Sequence, residues 1–244
     1  MIAETPAMLW TLAPWPYDHT TAAITLRSGH EPWSTVDENL VETWLTAARA
    51  GRFQRLRTNA VGPGVADDLQ MLGFSVKQEL ALLSYAFDEH GHNSPTYPNT
   101  SQQWSMRRIS SRATIRIDLA AFGDEWALDP AALDYASSAT QASRVRGAVT
   151  RPWWRNVPKK SGFYLAGFTE GNGYLQRLSV HPTSQRTGAG RALVCDALQW
   201  LRASGVQRVF VNTDVHNEPA LALYESLGFS RMNYTLTVME IGLT

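Results

Sequence analysis

The stretch "SQRTGAGRAL" (residues 184–193) decides how the rest of this chain is interpreted. Its two glycines, Gly188 and Gly190, stand where a strand-like pattern ends and the apolar period of a helix begins. A helix more often begins at Ser, Asp or Asn, whose side chain accepts a hydrogen bond from the first turn. Glycines in this place let the backbone approach a ligand, and the amides of a helix N-terminus attract phosphate. The stretch therefore indicates a phosphate-binding loop, and a small-residue turn without a ligand is the alternative.

Two common nucleotide-binding patterns do not fit this stretch. A dinucleotide-binding loop needs another glycine three residues after Gly190, and Leu193 stands there. A Walker A loop needs a lysine after its last glycine, and Arg191 follows instead. The two glycines can be assigned to a ligand only together with the sequence around them.

The residues around the glycines predict a mixed α/β fold. From Trp104 onward, strand and helix patterns follow in the order β-α-α-β-β-β-α-β-α-β, which predicts a mixed central sheet with flanking helices. Asp129 before Pro130 has the chemistry of a helix N-cap, and Asn172-Gly173 has that of a hairpin turn. Gly205 is placed to end the helix that begins at the glycines.

The composition is that of a soluble globular protein. The chain has 244 residues, 44% of them hydrophobic, and 22 basic residues balance 22 acidic ones, so no net charge attracts it to nucleic acid. Its one cysteine, Cys195, has no partner for a disulfide and fits the buried face of a helix. The N-terminal residues lack a signal-peptide pattern, and no apolar run is long enough to cross a bilayer. We expect a cytoplasmic protein without a nucleic-acid or membrane partner.

A polar segment divides the chain. Residues 88–103 carry two prolines and no apolar period, which is typical of a linker between an N-terminal segment, 1–87, and a C-terminal segment, 104–244. The two segments share a short repeat, because "RAGRFQRLRTN" from Arg49 matches "RASGVQRVFVN" from Arg202, and "LGFS" follows each copy. The repeat predicts a duplicated helix–strand–helix–strand unit, with a chance match as the alternative.

The residues downstream of the glycines are similar to a known family. The motifs "VHPTSQRTGAGRAL" and "VNTDVHNEPALALYESLGF" resemble the GNAT superfamily of acetyl-CoA-dependent N-acetyltransferases. The family's loop pattern is met at Gln185, Gly188 and Gly190. Its second element is met at Asn217, Ala220, Leu223, Tyr224, Gly228 and Phe229. The resemblance implies the GNAT-like acyl-CoA N-acyltransferase fold over 104–244.

The resemblance also implies a site for acetyl-CoA as cosubstrate, and no metal. The end of the strand before the loop, Leu178 to Val180, would part from its neighbour and pair with the pantetheine arm. The amide of Val180 would then stabilise the oxyanion at the thioester carbonyl. Asn217 is either a second CoA contact or only a helix N-cap. Gln185 is assigned to the cofactor site by its place in the loop pattern. The loop residues whose backbone amides would bind the CoA pyrophosphate are Arg186, Thr187, Gly188, Ala189, Gly190 and Arg191.

Tyr224 is the catalytic residue that the resemblance implies. Its phenol would protonate the departing CoA thiolate, whose pKa is about 8.5, and an aromatic core residue is the alternative. The general base stays open among Glu170, Asp214 and His216. Three aromatic residues of the two early helices either line the acceptor site or pack in the core: Phe122, Trp126 and Tyr135.

These expectations describe an enzyme that moves the acetyl group of acetyl-CoA to a primary amine by direct attack in a ternary complex. The amine belongs to a protein N-terminus or to a small molecule, and a homodimer is left open. A non-catalytic acyl-CoA-binding or interaction module is the alternative. In the N-terminal segment, Leu69 aligns with Tyr224 and Gly62 with Asn217, and "HEPWSTVDENL" has no Gly-x-Gly. That segment is predicted to be a degenerate GNAT-like half-domain, a partial pseudo-repeat without the cofactor chemistry.

Overall fold

The computed structural model describes residues 9–15, 18–27, 36–88, 104–124, 126–150 and 159–243. The strands and helices up to residue 138 are β1 (Leu9–Trp15), β2 (Asp18–Arg27), α1 (Glu38–Ala50), β3 (Arg55–Thr58), α2 (Pro63–Met71), β4 (Ser75–Ala86), β5 (Ser105–Arg107), α3 (Ser111–Phe122) and α4 (Pro130–Ser138). Those that follow are β6 (Ala142–Thr150), β7 (Lys159–Thr169), β8 (Asn172–Val180), α5 (Ala189–Ala203), β9 (Arg208–Asp214), α6 (Glu218–Ser226) and β10 (Ser230–Gly242). A 3₁₀ turn, Pro182–Ser184, precedes α5.

Contacts divide the chain into two units whose segments alternate along the sequence. The first unit contains Met1–Leu82, Thr213–His216 and Met232–Thr244. The second unit contains Leu83–Asn212 and Asn217–Arg231.

The first unit builds its sheet in the order β1-β2-β3-β10-β4. Strands β1 and β2 form an antiparallel hairpin, β2 and β3 pair in parallel, and β3 pairs antiparallel with β10, where Arg57 lies opposite Glu240. Helix α1 begins at Asp37, whose carboxylate accepts a hydrogen bond from the Leu40 amide at 2.8 Å. Its fully buried Trp44 packs in a core with Ile24, Leu56, Leu69 and Met239.

The second unit builds its sheet in the order β4-β9-β8-β7-β6-β5. Strands β5 to β8 are antiparallel neighbours, and β8 is parallel to β9. Helix α5 covers one face, where the Tyr164 hydroxyl donates to Asp196 at 2.6 Å. Leu178 pairs with Tyr164 and therefore lies on this face, as does Val180 two residues later. The residue between them, Ser179, points to the opposite face, where it contacts Asp118 of α3.

The predicted order of elements from Trp104 onward is confirmed, and so is the mixed α/β fold class. The observed order is β5-α3-α4-β6-β7-β8-α5-β9-α6-β10. Asp129 caps α4 as expected, accepting a hydrogen bond from the Ala132 amide at 2.6 Å. Gly205 follows the end of α5 with φ +82°, a value that favours glycine.

The predicted hairpin turn at Asn172-Gly173 is wrong by two residues. Thr169 pairs with Asn172, so the turn residues are Glu170 and Gly171, and both have positive φ, 50° and 79°. Two consecutive residues with positive φ match the twist of a two-residue hairpin. Gly173 lies inside β8, where a Cβ would come within 3.0 Å of Val206. That glycine serves the packing of β8 against its neighbours, a reason that the local sequence does not carry.

The two copies of the sequence repeat have matching backbone arrangements. The elements α1-β3-α2-β4 correspond in order to α5-β9-α6-β10. The parallel ladder of the first unit starts at Thr21↔Arg55 and that of the second at Asn172↔Arg208, and both arginines occupy the same place in the repeat. After the second helix of each copy, the amide of the "LGF" phenylalanine donates back into the helix, from Phe74 to Leu69 at 3.0 Å and from Phe229 to Tyr224 at 3.1 Å.

The last strand of each copy is assigned partly to the other unit, which differs from the division of the sequence at residues 88–103. Met232–Thr244, which include most of β10, belong to the first unit, whereas Leu83–Ala86 at the end of β4 belong to the second. The linker itself lies outside the described residues, apart from Asp88. The boundaries 1–87 and 104–244 therefore stay a proposal about the sequence.

Candidate functional site

Strand β8 leaves its parallel neighbour before its own end. Pairing with β9 runs from Asn172↔Arg208 to Tyr174↔Phe210 and goes no further, whereas pairing with β7 continues to Val180↔Gly162. A bulge in β8 lies where the strands part, because Leu165 pairs with Arg177 while Ala166 pairs with Leu175, which leaves Gln176 as the extra residue. A bulge bends its strand and increases the local twist. The second half of β8 thus has an open edge on the β9 side.

Val180 turns its backbone polar groups toward this open edge. The His181 amide donates to the Ser161 carbonyl at 2.9 Å, so Val180↔Gly162 is an antiparallel pair that exchanges no hydrogen bonds. The N–H and C=O groups of such a residue point away from the partner strand, here β7. Leu178 lies two residues earlier and has the same orientation. Both residues present donors and acceptors on the side that β9 has left.

The loop after β8 brings the start of α5 next to Val180. The Thr187 hydroxyl donates to the Ser184 carbonyl at 2.6 Å, and the Gln185 side chain donates through Nε2 to the Val180 carbonyl at 3.2 Å. Arg186 has φ +61°, unusual for a residue with a side chain. These turns carry the chain into α5 at Ala189, which is fully packed into the protein.

The two glycines of the loop are needed for different physical reasons. Gly188 is the N-cap of α5 with φ +88° and ψ −1°, the left-handed region in which side chains are strained. Gly190 has ordinary helical geometry, but a Cβ there would come within 3.2 Å of Leu223 and 3.7 Å of Val180. Gly188 therefore sets the direction of the amides at the helix start, and Gly190 lets α5 approach α6.

Helix α6 packs beside the loop and begins at Asn217. The Asn217 side chain accepts a hydrogen bond from the Ala220 amide at 3.3 Å, which is the N-cap interaction expected of it. The Arg191 guanidinium donates to the Ser226 hydroxyl at 3.1 Å and joins the start of α5 to the end of α6. The loop residues Gln185, Arg186 and Thr187 are exposed, whereas Gly188, Gly190, Arg191 and Asn217 are partly buried.

Tyr224 lies on the buried face of α6, with 4% of its surface exposed. Its ring packs against Phe229, with 5.5 Å between ring centroids. Burial raises the pKa of the Tyr224 phenol well above its ordinary value. The phenol therefore stays protonated throughout the physiological pH range and can act as a hydrogen-bond donor.

The three candidates for the general base lie in different places. Glu170 is in the turn before β8, and the eight residue steps of β8 from Asn172 to Val180, at ~3.3 Å each, put that turn roughly 26 Å along the strand from Val180. Asp214 and His216 belong to the first unit. Partial burial of Asp214 acts to raise its pKa, but hydrogen bonds from the Gln78 side chain at 2.9 Å and the His216 amide at 2.8 Å hold that pKa below its ordinary value. That carboxylate is a weak base.

The structure shows a buried charge network that the sequence patterns did not reveal. Asp118 of α3 is fully buried and pairs with Arg177 of β8 through two hydrogen bonds, of 2.9 and 2.7 Å. It also accepts from the Ser179 hydroxyl and from the Leu128 amide. The signal in the sequence was an aspartate among the inward-facing residues of an amphipathic helix, but its partners lie ten or more positions away. Of the expected acceptor-wall aromatics, Phe122 stacks on the Arg177 guanidinium at 3.7 Å.

No group of three or more His, Cys, Asp or Glu residues within the described ranges could hold a metal ion. None of the helices that the structure describes is long and apolar enough to span a membrane.

Comparison with known proteins gives one family. Residues 118–229 match the model of the acetyltransferase (GNAT) family. The mycothiol acetyltransferase of Pseudarthrobacter chlorophenolicus is 32% identical over 139 residues, which cover 57% of this chain and 37% of that protein. The mycothiol acetyltransferase of Kocuria rhizophila is 35% identical over 109 residues, which cover 45% of this chain and 33% of that protein. The matched part of this chain thus spans about a third of the length of these curated relatives.

Solved structures agree with the fold over most of the chain. A GCN5-related N-acetyltransferase from Sphaerobacter thermophilus superimposes with a TM-score of 0.65 at 16% identity and covers 97% of this chain and 77% of that one. A tandem GNAT protein from the clavulanic acid biosynthesis pathway does so with a TM-score of 0.61 at 16% identity, covering 92% and 76%. At this identity the likeness concerns the fold alone. Residues 118–229, just under half of the chain, are thus similar to the acetyltransferase (GNAT) family, and the fold agrees with that match.

Proposed function

We propose that this protein transfers the acetyl group of acetyl-CoA to a primary amine by direct attack in a ternary complex. The observation that carries the proposal is the open edge of β8, where Leu178 and Val180 turn their backbone groups away from β7. An open edge of this kind accepts an extended ligand in the way a sheet accepts an added strand. The pantetheine arm of CoA is extended and carries two amide groups, so the edge suits it.

The loop before α5 suits the other end of the same molecule. Gly188 directs the chain so that the amides from Ala189 onward stand at a helix N-terminus, which carries roughly half a positive charge. A pyrophosphate is favoured there without further cations. Gln185 holds this loop to the Val180 carbonyl, so the phosphate and pantetheine positions are built from adjoining residues. Bound acetyl-CoA supplies the thioester, whose carbonyl carbon is the electrophile.

Val180 and Tyr224 are the residues that we assign to the chemical step. The Val180 amide would donate a hydrogen bond to the thioester oxygen, where negative charge develops. Because burial raises the pKa of Tyr224, its phenol is a weaker acid than a thiol of pKa about 8.5. We therefore assign to Tyr224 a hydrogen bond to the sulfur that leaves, in place of full proton transfer. The amine must lose a proton to attack; the low pKa of Asp214 makes that carboxylate a poor place for the proton to stay, so we assign the proton to bulk solvent through a chain of water molecules.

The names of the curated relatives favour a small-molecule amine over a protein N-terminus as the acceptor. Both relatives described above are mycothiol acetyltransferases, and the match to the first covers more than half of this chain. We place the activity in the cytoplasm, with acetyl-CoA and a soluble amine as the partners.

The first unit supports the proposal of a degenerate half-domain. Leu69 holds the backbone place that Tyr224 holds in the second unit, so a phenol is missing there. A side chain also bridges the parallel strands of the first unit, at the place that corresponds to the point where the parallel strands of the second unit separate. The Asn59 side chain accepts from the Leu26 amide at 3.0 Å and donates to its carbonyl at 3.3 Å. An amide of the chain itself thus occupies the kind of position that pantetheine would take.

The test is thiol release from acetyl-CoA in the presence of a panel of amines: amino sugars, amino acids and short peptides. We expect release with a small amine, and a fall on the order of 10- to 100-fold in Tyr224→Phe, the range for one hydrogen bond to a charged group. Tyr85→Phe is the matched control, because Tyr85 is equally buried, packs on the same Phe229 ring at 5.3 Å and has a hydroxyl without a partner in the described structure.

A non-catalytic acyl-CoA-binding module is the second candidate, and the deep burial of Tyr224 is what favours it. Tight binding of acetyl-CoA without thiol release on any amine would support this module. No binding of acetyl-CoA at all would contradict both candidates.

A further inference from the structure

We infer that Asp118 is a positioning residue for the open end of β8, and that it acts through Arg177 and Ser179. The inference rests on the proposed function, since it concerns how the edge that receives the acyl donor is held in place.

The contacts of Asp118 fall on the two residues that alternate with the proposed binding residues. Arg177 donates to both carboxylate oxygens, and the Ser179 hydroxyl donates to Oδ1. Because side chains alternate along a strand, these two residues point to the α3 face while Leu178 and Val180 point to the α5 face. Asp118 thus holds β8 on its α3 face. The side chains of Leu178 and Val180, whose backbone groups face the open edge, lie on the opposite face.

These contacts of Asp118 lie in the half of β8 that does not pair with β9. Beyond Tyr174 the strand has no pairing with β9, and the bulge at Gln176 has turned it away. A strand held on one edge only can twist or shift its register, and either movement would re-aim the Val180 amide. The bidentate pair between Arg177 and Asp118 has fixed geometry, since guanidinium and carboxylate are both planar. It replaces the missing ladder as the element that sets the angle of the strand.

The same network holds the connection between α3 and α4. The Leu128 amide donates to Asp118 at 2.7 Å, and Arg177 donates to the Trp126 carbonyl at 2.6 Å. The Phe122 ring covers one face of the guanidinium. One buried carboxylate therefore fixes β8 and the segment expected to border the acceptor.

Stability alone does not explain this network. A buried ion pair is often no more stabilising than apolar side chains of the same volume, although breaking it by removing one partner is costly. Here the carboxylate is fully buried and the Arg177 side chain is 21% exposed. An arrangement of this kind is better explained by the geometry that it imposes on β8.

The test compares two ligands on two variants of nearly identical shape. Ser179→Thr keeps the hydroxyl and Ser179→Val lacks it. Asp118→Asn, a third variant, keeps the shape of the carboxylate and removes its charge. Affinity is measured for acetyl-CoA, which needs both β8 and the loop, and for ADP, whose pyrophosphate needs only the loop before α5.

We expect Ser179→Val and Asp118→Asn to weaken acetyl-CoA binding about tenfold or more, since sub-ångström shifts in a positioned group are costly. ADP binding should stay within about twofold of the wild type, which is a difference of less than 1 kcal/mol. Ser179→Thr should retain acetyl-CoA binding. Glu240→Gln is the control: it breaks the ion pair with Arg57 in the first unit, 2.6 Å long and similarly buried, and should change neither affinity.

Three results would overturn the inference. Equal weakening of both ligands would show that the network only supports the fold. Unchanged acetyl-CoA affinity in Ser179→Val and Asp118→Asn would show that β8 keeps its aim without it. If the wild-type protein binds neither ligand, the proposed function fails first, and this inference fails with it.

Discussion

Replacement of Gly188 by alanine tests the loop most directly. Gly188 has φ +88° and ψ −1° at the start of α5, and an L-residue in this region is strained by about 1–2 kcal/mol. The strain can have two effects. If the loop keeps its shape, the free energy of unfolding falls by that amount. If it relaxes, the peptide groups on either side of residue 188 rotate, and the amides of Ala189 and Gly190 no longer face the same ligand.

The two effects are measured separately, one as acetyl-CoA affinity and the other as stability. A loss of 1–2 kcal/mol in binding is a fall of about 5- to 30-fold in acetyl-CoA affinity, which titration calorimetry resolves. The same loss in stability lowers the melting temperature by roughly 2–8 °C for a chain of this size. Gly188→Asn is the control, since asparagine tolerates left-handed backbone, and it should keep most of the affinity. A Gly188→Ala variant that binds within about twofold of the wild type and also melts at the same temperature would contradict the role given to Gly188.

Three further predictions concern single side chains. Because burial raises the pKa of Tyr224, the pH–rate profile should show no loss of activity from its deprotonation up to its ordinary value of about 10, and a fall at lower pH that Tyr224→Phe abolishes would contradict the assignment. Asn59→Ala removes two hydrogen bonds to Leu26 and should lower the free energy of unfolding by about 1–3 kcal/mol in urea titrations, while acetyl-CoA still binds once per chain. Burial raises the pKa of Cys195 to about 11, so a thiol reagent at pH 8 should modify it only after unfolding; rapid labelling of the native chain would show that α5 opens readily.

The parts of the fold that the sequence could predict are those that depend on neighbouring residues. Asp129 caps α4 and Asn217 caps α6 as expected, because a cap joins a side chain to an amide three residues away. The apolar periods of α5 and α6 likewise indicate their buried faces without reference to the rest of the chain. The assignment of the glycine loop to a ligand depends on a second motif at a fixed distance, and it stays a prediction.

The parts that the sequence could not predict depend on residues far apart. Gly173 has the local appearance of a turn residue, and only its contact with Val206 explains its place inside β8. Asp118 and Arg177 are 59 positions apart, and nothing near either one indicates the other. The different reasons for Gly188 and Gly190 also needed coordinates, since one concerns backbone angles and the other the approach of Leu223.

The position of β10 has a consequence for the order in which the protein can fold during synthesis. In the first unit, β10 stands between β3 and β4, although residues 232–243 leave the ribosome after every segment of the second unit. The unit whose strands are made first must therefore wait for the last strand before its sheet is closed. Until then β3 exposes an unpaired edge, which is a site for aggregation. A chain that stalls or is cut before residue 232 should thus damage the N-terminal unit, even though the break lies about 150 residues beyond its first four strands.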